Sequence, residues 1–184
     1  MLRNKRGQVW VETVLYTLIG LALIGLVLGF VTPRINQAKD KLIVEQALDS
    51  LNSLDEKINS AAQVPSNVRQ AEFTMKRGEL IIDGLNEKII FIVDDLSHPY
   101  SEPGVEIDAG RVKVKSEKLK KKSKVTLTLD YLGRYNISYD GKSEEKTFTQ
   151  SGTPYLLSIT NKGDEDINDE SAIFTIDLKE TSGK

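Results

Sequence analysis

The sequence predicts an α+β protein: one long N-terminal α-helix, apolar in its first half and amphipathic in its second, then an antiparallel β-rich head built as a sandwich or a curved sheet. Three observations carry this expectation. Val14 to Val31 is an eighteen-residue run without a charge. From Ile35 to Ala61, apolar residues recur mostly at three- and four-residue steps, the period of one helix face. Beyond Asn67, apolar and polar residues alternate in short segments separated by glycine-bearing turns, the period of half-buried strands.

The apolar character of the first segment reaches back to Val9, interrupted by Glu12 and Thr13. As a helix, Val9 to Val31 extends roughly 35 Å, enough for the hydrocarbon core of a bilayer. Arg3, Lys5 and Arg6 precede it, which by the positive-inside rule puts the N-terminus in the cytoplasm and the head outside. Arg34, Lys39 and Lys41 on the far side pull against that orientation. No small-x-small cleavage site ends the run, because Val31-Thr32-Pro33 stands there, so the segment is expected to stay as a single-pass anchor. Pro33 lacks an amide donor and predicts a kink or break.

An amphipathic helix is expected over 34–62, with Ile35, Ala38, Leu42, Ala47, Leu51, Leu54, Ile58 and Ala61 on its stripe. Lys39, Lys41, Glu45, Asp49 and Glu56 lie mostly off it. Such a stripe packs by default on the protein's own head, and contacts between subunits along the same helix are the other use open to it. The linker 63–68 contains "QVPSN", which stops the helix. Strands are expected at 69–76, 79–83, 88–94, 104–108, 111–115, 124–131, 134–139, 145–149, 154–160 and 172–178, so that the head covers 69–180 and a tail 181–184 remains.

Composition narrows the chemistry. The chain has 184 residues, a formal charge of −2 and no cysteine, which removes thiol catalysis, cysteine-held metals and disulfides. His98 is the single histidine, which argues against histidine-rich metal sites and a His-paired nucleophile. No phosphate-binding glycine loop or nucleophile motif is present, so neither an enzyme nor a cofactor is expected. Asp94-Asp95 reads as a strand end or cap. A hydrolase would gain interest only if Asp94, Asp95 and Asp130 converged in a cleft.

Residues 5–31, KRGQVWVETVLYTLIGLALIGLVLGFV, put basic residues first, then Gly7-Gln8, then Glu12, then an apolar helix that runs on into an amphipathic one. This order resembles the type IV pilin family, and more closely its archaeal class III signal-peptide branch. The likeness is most specific over residues 5–31 and extends loosely to about residue 60. It departs from the branch's usual Q-x-S-x-E pattern at Trp10, which stands where serine is common. The resemblance implies a prepilin peptidase cutting between Gly7 and Gln8, which leaves Glu12 as the fifth residue of the mature chain. It also implies an assembly platform with its ATPase, self-association into a filament, and a place on the cell surface after assembly.

The residues have a physical reading of their own. A carboxylate among apolar helices costs several kcal/mol unless it is paired. Cleavage after Gly7 creates a partner, the α-amine of Gln8 on a neighbouring subunit, although an N-terminal glutamine can cyclise and lose that amine. The plainer reading is a first-turn glutamate favoured by the helix dipole in the headgroup region. Gly25 and Gly29 form a small-xxx-small pair that permits close helix approach, in a segment type where glycine is common anyway.

Loss of Arg3, Lys5 and Arg6 with the leader takes the formal charge from −2 to −5. Residues 113–124 concentrate seven lysines and 163–170 five acids. Solvated charged loops are the plain reading of both runs, and nucleic acid is not an expected partner. The basic run also suits an anionic surface, or an unlike loop on an adjacent head in a polymer. Asp164, Asp166 and Asn168 alternate as in calcium loops but lack the glycine and distal glutamate of an EF-hand, so no metal is expected. Asn136-Ile137-Ser138 is an N-glycosylation sequon on an expected strand. Two functions follow as expectations: a filament subunit assembled through its N-terminal helix, or an uncleaved signal-anchored surface protein whose β head binds a ligand or partner.

Overall fold

The computed structural model describes residues 5–163 and 173–181, with side chains from Val9 onward. One helix, α1 (Lys5–Ala62), opens the chain and continues through Pro33. The expected break is not made. The ring removes a single backbone bond, and the turns on either side stay helical, with the Thr32 hydroxyl donating to the Leu28 carbonyl at 2.7 Å. The chain forms two compact units, Met1–Lys39 and Asp40–Lys184. In the first, no described side chain from Val9 to Lys39 is buried.

The second unit combines the rest of α1 with ten strands. These are β1 (Val68–Phe73), β2 (Glu79–Asp83), β3 (Lys88–Leu96), β4 (Glu106–Ala109), β5 (Val112–Lys118), β6 (Ser123–Asp130), β7 (Asn136–Tyr139), β8 (Glu145–Thr149), β9 (Tyr155–Gly163) and β10 (Thr175–Glu180). They make two sheets, one ordered β1-β9-β10-β7 and one ordered β4-β5-β6-β3-β2-β8. The α+β expectation is met by two sheets rather than one curved sheet. One pair departs from the antiparallel rule: β7 and β10 run parallel. After β7 the chain crosses to the other sheet for β8, returns as β9 and folds back as β10, which brings β10 alongside β7 in the same direction.

Both sheets and the helix share one hydrophobic cluster. β6 shows the sequence logic most plainly, with Val125, Leu127 and Leu129 buried while Thr126, Thr128 and Asp130 between them are half-exposed. From the helix come Val44, Ala47, Leu51, Leu54, Ile58 and Ala61. Fully burying each larger aliphatic side chain contributes about 1.5–3 kcal/mol. The upper part of the expected stripe is corrected: Ile35, Ala38 and Leu42 are exposed, and the buried row begins at Asp40 and Val44. At 100° per residue, Leu42 lies about 200° around the helix from both.

The sheets meet where the β2–β3 turn reaches β7. A Cβ on Gly84 would stand 2.7 Å from the Ile137 carbonyl oxygen, so this position demands glycine. The neighbouring Glu87, at φ +55°, accepts the Ile137 amide with its carboxylate.

Candidate functional site

The surface that sets this protein apart is the side of α1 between Val9 and Val31. Apart from half-exposed Gly20, every residue there is exposed, including Trp10, Tyr16, Leu26 and Phe30 at 70% or more. The segment is long and apolar enough to cross a membrane once. Its threonines are suited to that environment. Thr13 donates to the Val9 carbonyl at 3.0 Å and Thr17 to the Thr13 carbonyl at 2.8 Å, so both hydroxyls are satisfied within the helix. Gly25 and Gly29, four residues apart on one side of the helix, form an open strip where an added Cβ would meet nothing within 4 Å.

Glu12 is exposed near the start of this surface. Gly7 and Gln8 belong to the first turns of α1. That first turn lacks an acidic residue to complement the helix dipole and carries a glycine, both of which weaken it.

The other residues that the sequence singles out lie in the head and do not converge. The lysine-rich run forms β5, β6 and the tight turn between them, where the Leu119 amide donates to the Lys122 carbonyl at 2.8 Å. Asn136 opens β7 on the surface, whereas Ser138 is buried and donates its hydroxyl to Asp177 at 2.8 Å. His98 is exposed in a loop. Asp130 pairs with Lys88 at 3.8 Å at one end of β3, and Asp94 and Asp95 lie six and seven residues farther along, about 20 Å away. Among the described residues, no group of three metal-binding side chains is present. Asp164, Asp166 and Asn168 fall outside the described residues.

Sequence reasoning missed a set of buried polar anchors. Asp40 accepts the Ser97 amide at 2.6 Å and pairs with Arg77 at 3.2 Å. Asp55 receives the Tyr131 hydroxyl at 2.9 Å, the Asn59 amide at 2.9 Å and the Arg111 guanidinium at 3.2 Å. Asn161 donates to the Ala61 and Ala62 carbonyls at the end of α1. The available signal was indirect: α1 ends without a glycine cap or a basic last turn, so its last carbonyls need donors from elsewhere in the fold.

No family model, curated protein or solved structure matches the chain.

Proposed function

We propose that this chain is a structural subunit of a type IV pilus-like or pseudopilus filament, inserted as a prepilin with its N-terminus in the cytoplasm and cut by a prepilin peptidase after Gly7. A platform protein and its ATPase then move it into a cell-surface filament made of copies of itself. The observation that carries this reading is the exposed apolar surface of Val9–Val31, with Glu12 near its start. Such a surface is stable in lipid or against like helices and not in water. A subunit that passes from one environment to the other uses it twice.

Cleavage supplies an α-amine at Gln8, and Glu12 is the fifth residue of the chain that starts there. A pair between that amine and a neighbour's Glu12 fixes the stagger of stacked helices more than it adds stability. The weak first turn of α1 favours the unwinding that a peptidase needs.

The second reading, an uncleaved anchor for a ligand-binding head, is favoured by one observation: the Gly7-Gln8 bond lies within helical backbone. Mass spectrometry of the protein from its native host separates the two. A mature chain that starts at Gln8 supports the filament subunit, and an intact Met1 terminus supports the anchor. Glu12→Ala should then abolish incorporation into filaments, while leaving membrane insertion intact.

A further inference from the structure

The lysine-rich hairpin sits at a particular end of the head. Arg77 donates both to Asp40, at 3.2 Å, and to the Asp94 carbonyl, at 2.6 Å. The next residue, Asp95, receives Lys122 on its carbonyl at 3.2 Å and on its carboxylate at 3.9 Å. Ser97, two positions on, donates its amide to Asp40. These contacts put the β5–β6 turn beside Asp40, where the chain arrives from the apolar segment. Asp55, by contrast, meets Tyr131 and Arg111 toward the other end of β6.

The turn itself is cationic with an apolar point. Lys118, Leu119, Lys120, Lys121 and Lys122 are all exposed, with Leu119 at 52%. Glu117 is taken up by Lys115 at 3.3 Å and Asp95 by Lys122. Among the described residues, Lys118, Lys120 and Lys121 enter no ion pair. Nine residue steps separate Val31, the end of the apolar run, from Asp40. Whatever path it takes, that tether cannot exceed roughly 30 Å.

We propose that, while the subunit is anchored, the β5–β6 turn docks on anionic lipid headgroups, held by Lys118, Lys120 and Lys121 with Leu119 entering the interface. The tether keeps the turn near a bilayer at all times, and charge and apolar tip match a headgroup layer. A lysine at an anionic surface strengthens binding about five-fold, so three together shift the docked fraction on the order of a hundred-fold. The inference rests on the membrane-span part of the reading above and not on cleavage or assembly.

The chain has one tryptophan, Trp10, and no cysteine, which gives two independent reporters. Full-length protein carrying Leu119→Cys, labelled with a polarity-sensitive dye, is reconstituted into vesicles of phosphatidylcholine alone or mixed with phosphatidylglycerol. Trp10 emission should be blue-shifted in both. The dye should shift only in phosphatidylglycerol, and the shift should vanish in about 1 M salt, where the screening length is near 3 Å. It should also vanish when Lys118, Lys120 and Lys121 are all changed to Gln.

Lipid-embedded Trp10 with an unshifted dye overturns the docking and leaves the anchor standing. Solvent-like Trp10 overturns both. A dye shift in neutral vesicles overturns the electrostatic docking, and a shift produced by duplex DNA but not by phosphatidylglycerol overturns it in favour of a nucleic-acid contact.

Discussion

At the scale of single residues, the head is held by buried carboxylates as well as by its apolar core. Tyr131 is fully buried, and burial together with the Asp55 carboxylate pushes its phenol well above the usual tyrosine value. A raised value means that the folded state keeps the proton. The stabilisation is therefore complete below about pH 10 and is lost as pH rises beyond it, because the unfolded phenol ionises first. Tyr131→Phe should cost about 1–2 kcal/mol at neutral pH. It should also flatten the alkaline loss of stability, as read from denaturation midpoints across a pH series. Glu87 behaves differently. Desolvation raises its pKa, the Ile137 amide lowers it, and Asp83 adds to the rise. The folded state thus bears a disfavoured charge above the ordinary carboxylate range. Glu87→Gln keeps an oxygen for the Ile137 amide and removes that charge. It should stabilise the head by a few tenths of a kcal/mol at pH 7, given partial solvent screening, and by nothing at pH 3. Equal gains at both pH values would show that charge is not the cause.

At the scale of elements, all ten strands and the end of the long helix are legible as alternation, turn glycines and apolar spacing, because most of them bury one face, β4 being the exposed exception. The helix register was legible only from Ala47 onward. Its buried row starts with Asp40, a polar residue at a core position, and a reader of apolar spacing passes over it to Leu42 on the other side. Asn161 hides in the same way. It follows Leu157 and Ile159 on the inward face of β9, where alternation predicts an apolar residue, because its task is set by α1 one hundred residues earlier. Asn161→Asp tests that task with almost no change of shape. The carboxylate still accepts the Gly163 amide, made at 2.8 Å in the native protein, but cannot donate to the Ala61 and Ala62 carbonyls. It should destabilise the head by about 2 kcal/mol or more, with faster amide exchange in the last turn of α1. Unchanged exchange there would mean that water serves the helix end equally well.

At the scale of the whole molecule, the chain is two units that answer to different solvents. The head carries its own core, whereas the apolar segment buries nothing in the described chain, so its stability comes from whatever surrounds it. The candidate site was legible too: a surface long and apolar enough to cross a membrane advertises itself in sequence as an uncharged run. Sequence also offers one face of that run for close helix approach, the Gly25 and Gly29 pair. Under the proposed filament reading, the missing side chains along this open strip would let two backbones approach closely. Changing both to Leu adds bulk on the strip while keeping the segment apolar and helical. Insertion should be unaffected, and the head's thermal midpoint in detergent should stay within about 1 °C, because a substitution with no head contact shifts it little. Self-association should fall several-fold, measured by energy transfer between labelled copies in vesicles. If association is unchanged, the segment packs through another face, and the exposed leucines become the surface to test.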